Sequence, residues 1–438
     1  MKRILLNTEH AQVRSEECRV LRTQLAPEIA RLMDARNHAY DTPYASIHLP
    51  FDISLHAQVK KAIATKKSLE PTMLIVVGIG GSNLGTMAVL QALYGRLYNE
   101  QQPDIKVYFA DTIDTDYVED ILLLAEQELQ KGNPILVNVI TKSGTTTETI
   151  ANFTIFCELL RSFFPRDYHK YIVVTTDKDS PLYACAQAQE ILCLEVPKNV
   201  GGRYSVLSAV GLFPLGLIGV AIDDLLKGAQ QMVQWCSHDN EDNSAARSAV
   251  IRYQLYKQGI AINDLFLFAV DLENVGKWYR QLMGESIGKE LNVHGKKVEV
   301  GITPTVSLGT IDLHSVAQLY LGGPRDKLAV FVDVMQTRSH CYVPTQKECA
   351  VPAATIYGKS LSSILHATLT GVYLAYEKTN RPFMSLMIPE KSALYMGQLL
   401  QYMMIEMMYL GALLEVNPFD QPNVELYKQE TRKILENE

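Results

Sequence analysis

Short apolar, β-branched runs alternate with longer segments of helical period along most of the chain. Met73–Val77, Ile105–Ala110, Ile135–Ile140, Tyr171–Thr175 and Ile191–Val196 are near-continuous apolar runs rather than alternating ones. Such runs predict strands covered on both faces, as in a parallel sheet with helical crossovers. Between them Leu84–Leu97, Tyr117–Leu129 and Thr147–Phe164 carry a helical pattern. A second series follows, with strands expected near Leu265–Val270, Val298–Ile302, Leu328–Val334 and Phe383–Ile388. The order predicts an α/β fold of two tandem doubly wound parallel sheets.

Outside the two series the pattern changes. The first 55 residues are mostly helical in period and end in the Pro-containing segment Asp41–Asp52, read as a strap on the surface. Val206–Ile222 is the most apolar stretch, but its 17 residues, broken by Ser208 and Pro214, fall short of the roughly 20 a membrane span requires. It predicts a buried helix or helix pair within Tyr204–Gly228, the segment expected to bridge the sheets. From Ser392 to Val416 the helical pattern is apolar nearly all round, which predicts burial in a core or an interface. The division that follows is a helical strap over 1–55, a smaller domain over 56–225, a larger one over 226–415 and a C-terminal helix over 416–438.

A length of 438 residues has room for two or three domains, and 47% hydrophobic with 20% charged residues excludes a disordered or fibrous chain. The balance of 41 basic and 48 acidic residues, net −7, contains no Lys/Arg block. Nucleic acids and membrane surfaces are therefore not expected as partners. The seven cysteines are scattered without a Cys-x-x-Cys pair, and Met1–His10 has only a three-residue apolar run. Neither disulfides nor a signal peptide is expected, and the cytoplasm is the compartment read from this. None of the ten histidines stands in His-x-His or His-Glu-x-x-His spacing, so no metal site is expected.

Two segments run from a strand into a helix through residues suited to an anion. In Val76–Gly85 the glycines Gly78, Gly80 and Gly81 precede Ser82, allowing a tight turn whose backbone approaches a ligand at a helix N-terminus. Asn83 occupies the place a third dinucleotide-fingerprint glycine would need, and Thr86 after Gly85 rules out a P-loop. Ser82 either caps the following helix or presents its hydroxyl to the site. In Ile140–Thr149 the hydroxyls of Thr141, Ser143, Thr145, Thr146 and Thr147 exceed what capping requires. Two such turns from one sheet suggest a phosphorylated small molecule held by hydroxyls and backbone N–H groups.

Three further segments carry side chains suited to catalysis. Gly201–Gly202 ahead of Arg203 suits a turn that aims a planar cation at a developing oxyanion. Gln281–Lys289 sets Glu285 among glycines at a helix end, where partial burial would make a general base of it; the plainer reading is a solvated partner of the nearby lysine. His314, within Ile311–Gln318, is the histidine whose context stands out, and Phe419–Lys428 pairs a Pro-Asn turn with a helix start that carries Lys428.

Together and in this order, these segments resemble the glucose-6-phosphate isomerase family, in its shorter bacterial form, from about Tyr44 to Lys428. Asn199–Gly211 is similar to its Gly-Gly-Arg-aromatic-Ser signature, and Phe419–Lys428 to its aromatic-Asp-Gln-x-Gly-Val-Glu-x-x-Lys signature. The resemblance implies two flavodoxin-like sugar-isomerase domains and a reversible aldose–ketose isomerisation of glucose 6-phosphate and fructose 6-phosphate through a cis-enediol. It implies a phosphate loop at Gly80, Gly81 and Ser82, and a phosphate cradle at Thr141, Ser143 and Thr146 with the Lys142 backbone. It further implies Glu285 as the base moving a proton between C1 and C2, Arg203 steadying the enediolate, and Gln281 positioning substrate. His314, reaching across a homodimer, and Lys428 would assist ring opening, with Gln421 near the phosphate. No cofactor is implied.

Two positions depart from the family's pattern. Asn423 stands where the second signature has glycine, and asparagine tolerates the positive φ such a turn would use. Thr141 stands where serine is frequent, which keeps the hydroxyl. A bifunctional enzyme that also takes mannose 6-phosphate uses the same residues. A non-catalytic sugar-phosphate-binding regulator need not keep Glu285, His314 and Lys428 together, and a nicotinamide-dependent dehydrogenase is weakened by Asn83.

Overall fold

The computed structural model describes residues 3–240, 242–345 and 355–437; Cys349 lies outside them. Among the described residues twelve strands form two five-stranded sheets and a small hairpin. Strand β1 (Leu5–Asn7) is followed by β2 (Met73–Val77), β3 (Lys106–Ala110), β4 (Ile135–Ile140), β5 (Ile172–Thr176) and β6 (Leu192–Glu195). Then come β7 (Ile262–Leu267), β8 (Lys289–Leu291), β9 (Lys297–Val300), β10 (Thr303–Leu308), β11 (Lys327–Gln336) and β12 (Phe383–Glu390).

The first sheet has the order β3-β2-β4-β5-β6 and is parallel throughout. The apolar runs of β2, β4 and β5 are buried on both faces, and the two-residue period of a strand divides them. Met73, Ile75 and Val77 face an outer core with Val137, Val139 and Phe156. Leu74 and Val76 face a central core that continues into the second half of the chain. The second sheet has the order β1-β12-β11-β7-β10, with an outer core of aromatic rings that includes Phe266, Phe331 and Phe383.

Several expectations need correction here. The run Val298–Ile302 falls on the antiparallel β8–β9 hairpin rather than on the main sheet. The main-sheet strand is β10, whose sequence Thr-Pro-Thr-Val-Ser-Leu is half-buried at an edge, where proline is tolerated and apolar continuity is not required. The second sheet is not wholly parallel either, because β1 pairs antiparallel with β12 (Leu6 opposite Leu386). Asp41–Asp52 is no surface strap: Ala45, Ile47 and Leu49 are fully buried in the central core.

Ala209–Leu217, within the most apolar stretch, is a helix buried at every residue with Pro214 inside it. The Ala393–Leu413 helix is buried nearly all round and crosses the Ile222–Cys236 helix at glycine contacts. A Cβ on Gly397 would lie 1.9 Å from the Leu225 carbonyl oxygen, and one on Gly228 would lie 1.9 Å from that of Leu394. From the same helix Glu406, fully buried, accepts from Arg252 (2.7 Å), Tyr279 OH (2.7 Å) and Tyr402 OH (3.0 Å). Pairing and hydrogen bonding make that buried carboxylate tolerable, and Tyr279 ties it to the Glu273–Ile287 helix, which carries Gln281 and Glu285. Among the described residues no helix is long and apolar enough to cross a membrane.

Candidate active site

The first sheet leaves β2 for β3 on one side and returns to β4 on the other. The loops after β2 and β4 therefore diverge and open a crevice at the carboxyl ends of the strands, the place where doubly wound sheets bind ligands. The loops touch at their base: a Cβ on Gly78 would stand 2.9 Å from the Ile140 carbonyl oxygen.

After β4 the hydroxyls bond to one another. Thr141 Oγ1 and Thr146 Oγ1 are 2.9 Å apart, Ser143 Oγ accepts from Thr145 N at 3.2 Å, and Thr176 Oγ1 donates to the Thr141 carbonyl at 2.6 Å. Gly144 turns the loop at φ +68°. Thr146 holds the N-cap position of the Thr147–Phe163 helix without making a side-chain cap. The first-turn N–H groups of that helix keep their capacity for an anion. Burial pushes the Lys142 ammonium below its usual range, and Asp177 partly offsets this.

After β2 a single turn, Gly80–Ser82, precedes the Leu84–Tyr94 helix, and it is Asn83 rather than Ser82 that holds the N-cap position. Ser82 does not cap. Its hydroxyl is half-buried and makes no hydrogen bond among the described residues. Asn83 is buried and donates to Asp111 Oδ2 at 2.9 Å; burial raises the Asp111 carboxyl above the usual range. Gly81 has a different use from the one read in the sequence. A Cβ there would be 2.2 Å from the Gly202 carbonyl carbon, so this glycine admits another protein loop, the one that ends in Arg203.

Arg203 is 1% exposed and spends all five of its N–H donors on protein acceptors. Nε donates to Ser286 Oγ (2.9 Å), Nη1 to Glu285 Oε2 (3.0 Å) and Gln421 Oε1 (2.7 Å), and Nη2 to the Pro418 (2.6 Å) and Asp420 (3.0 Å) carbonyls. Glu285, at the end of its helix, keeps 32% of its side chain exposed, and its Oε1 accepts from Gln281 Nε2 at 3.0 Å. Gln281 Nε2 in turn lies 2.9 Å from where a Cβ on Gly80 would stand, and Gln281 Oε1 is buried without a partner. A carboxylate fixed by a cation and an amide, open on one side, and an unpaired amide oxygen beside it suit proton transfer on a hydroxylated substrate.

The structure thus gathers Gly80, Gly81, Ser82, Arg203, Gln281, Glu285 and Gln421 into one set of contacts, with Thr141, Lys142, Ser143 and Thr146 on the adjacent loop. Gln421, expected near the phosphate, sits on Arg203 and makes no bond to the hydroxyl loop. His314 and Lys428 are not joined to this set. His314 is exposed in the turn after β10, and Lys428 Nζ is held by Glu425 Oε1 at 2.7 Å on the C-terminal helix. Asn423 lies in a right-handed turn, so no positive φ is called for; its side chain donates to Glu290 at 3.1 Å.

Sequence reasoning missed Ser286, Lys289 and Asp420. The Glu285/Lys289 spacing reads as a surface ion pair, yet Lys289 is 6% exposed and bonds the Glu285 carbonyl rather than its carboxylate. Nothing in a sequence marks a lysine that will turn back onto a backbone oxygen. Among the described residues no group of three or more His, Cys, Asp or Glu is placed to hold a metal ion.

A family model described as phosphoglucose isomerase matches residues 58–438. A glucose-6-phosphate isomerase of Carboxydothermus hydrogenoformans is 35% identical over 367 residues, 82% of this chain and 78% of its own length. One of Clostridium tetani is 31% identical over 439 residues, 98% of this chain and 95% of its own. A crystal structure of a Thermus thermophilus protein described as hypothetical is similar at TM-score 0.85 and 28% identity, covering 99% of both chains. That of a Chlamydia trachomatis glucose-6-phosphate isomerase is similar in fold, at TM-score 0.82 and 21% identity, over 99% of this chain and 88% of its own.

Proposed function

The chain belongs to the phosphoglucose isomerase family, and from that membership we infer that it is an enzyme interconverting glucose 6-phosphate and fructose 6-phosphate. Within that reaction Glu285 is the base, Arg203 its cation and the two loops after β2 and β4 the phosphate holders. The observation that carries these roles is the Glu285 carboxylate suspended between Arg203 and Gln281 beside the first sheet's crevice.

Glu285 takes the proton from C2 of the open-chain aldose. The C–H electron pair becomes the C1–C2 double bond as the carbonyl pair moves onto O1, giving a cis-enediolate. Return of the proton from Glu285 to C1, with transfer of the O2 proton to O1 as the C2–O2 carbonyl forms, yields the ketose. The exchange is internal to the sugar and calls for no external oxidant or reductant. Arg203 acts on the developing anion through its charge, because its N–H groups are taken by protein oxygens. Ser82, Thr141, Ser143 and Thr146 and the helix N-terminus behind them hold the phosphate, whose binding energy sets C1 and C2 over the base.

Ring opening falls to His314 and Lys428, with His314 supplied by a second copy of the chain. What supports this is its exposure and the C-terminal helix, where Leu426, Tyr427, Ile434 and Leu435 are 52–68% exposed. An amphipathic helix with its apolar residues in water is a surface in want of a partner. We place the homodimer in the cytoplasm, where the six free cysteines of the described residues would stay reduced. A coupled assay that reads glucose 6-phosphate formed from fructose 6-phosphate, run in EDTA, is expected to show sustained turnover. No turnover would overturn the substrate, and loss of it on adding EDTA would overturn the metal-free mechanism.

A further inference from the structure

We propose that Lys289 is a positioning residue for Glu285, fastening the C-terminal loop to the end of the helix that bears the base. The proposal rests on the reading of Glu285 as the base. Lys289 opens β8 one residue after Gly288, and its side chain turns back instead of entering solvent: it is 4% exposed. Nζ donates to the Glu285 carbonyl (2.9 Å), to Asp420 Oδ1 (2.9 Å) and to the Asp420 carbonyl. Those three acceptors use every proton of the ammonium. The Glu285 carbonyl is among the last of its helix, which the helix itself leaves unpaired, so the lysine satisfies it and sets a cation at the negative end of the dipole.

The bonds close a ring. The Glu285 backbone holds Lys289, Lys289 holds Asp420, and the Asp420 carbonyl and Gln421 hold Arg203. Arg203 returns to the Glu285 carboxylate. Without the ammonium, the loop over 418–421 loses its bond to the Glu285 carbonyl through Lys289 and keeps the link through Arg203, whose Asp420 acceptor is then held less firmly. Burial lowers the Lys289 pKa, while its bond to Asp420 holds it up. The charged groups facing Glu285 are Arg203 from the turn that precedes the buried helix, Lys289 from the hairpin and, beyond Lys289, Asp420 from the C-terminal loop.

The test compares Lys289→Met and Lys289→Arg with the parent enzyme. Lys289→Met is expected to lower kcat on the order of 10- to 100-fold, the scale of a misplaced catalytic group, with KM little changed. Lys289→Arg, which keeps a cation and its donors, should recover part of kcat. Should Lys289→Met not fold, Asp420→Asn takes away the carboxylate anchor and should give a smaller loss of the same kind. Parent kcat in a folded Lys289→Met variant would overturn the proposal. In a Glu285→Gln background Lys289→Met should cost nothing further. A multiplied loss there would also overturn it, whereas high turnover in Glu285→Gln alone would fault the base and leave the Lys289 result to be read on its own.

Discussion

Arg203 Nη1 lies 3.0 Å from Glu285 Oε2 across 82 positions of sequence. The arginine is buried and the glutamate a third exposed, so a desolvated, fully bonded cation fixes a carboxylate that still meets solvent. Four other protein acceptors hold the guanidinium in one plane. The carboxylate therefore has a set direction before any substrate arrives, which lowers the cost of reaching a reactive geometry.

Replacing Glu285 by Gln keeps a side chain of the same length while removing the proton acceptor. The variant is expected to fold with its Tm nearly unchanged and to lose about 10²–10⁴ in kcat. Steady-state kinetics beside a thermal melt checks both halves; turnover near that of the parent would remove Glu285 from the role of base.

Neighbouring glycines should respond differently to alanine. At Gly81 a Cβ would stand 2.2 Å from a backbone carbon, whereas at Gly202 the nearest atom would be 3.7 Å away, an ordinary contact. Gly81→Ala must push apart the loops that carry Ser82 and Arg203, a strain of about 1–3 kcal/mol, with kcat/KM falling alongside. Gly202→Ala should melt within a few degrees of the parent. Equal Tm values for the two variants would contradict the close approach.

Lys66 provides a pH test remote from the site. It is 4% exposed, donates to the Lys170 carbonyl, and burial pulls its pKa from 10.5 down to about 8. Between those values the unfolded chain binds more protons than the folded one, so this group's contribution rises with pH and is lost as pH falls through about 8. Lys66→Met should accordingly stabilise at pH 7 by about 1–3 kcal/mol, with the advantage shrinking toward pH 10.5. Melts at pH 7 and pH 10 measure it, and a gain that grew with pH would reverse the argument.

The role of His314 across an interface can be read by complementation. Each of the inactive variants His314→Ala and Glu285→Gln lacks one half of a shared site. After co-refolding, about half of the dimers are mixed and each holds one intact site of two, so about a quarter of parental activity should return. No recovery from demonstrably mixed dimers would place His314 outside its partner's site.

The strands legible in the sequence were those with a continuous apolar run. Met73–Val77 and Ile135–Ile140 coincide with β2 and β4 because burial on both faces leaves Asn138 as the one polar residue in the two runs. The edge strands β1 and β10 were not legible, since one is three residues long and the other holds proline, threonine and serine at the rim of the sheet. Local chemistry was likewise readable: glycines before a helix and hydroxyls after a strand act within a few residues of where they stand.

What the amino-acid order determined alone was therefore the α/β class, the two anion-suited loops and the residue types able to move a proton. Tertiary structure decided which partner each of those residues meets. Arg203 finds Glu285, Ser286 and three acceptors of the C-terminal loop, and Lys289 finds backbone oxygens rather than the carboxylate four positions away. Periodicity records how much of a side chain is buried. It carries no record of which distant carbonyl will face that side chain once two sheets and a C-terminal loop have packed.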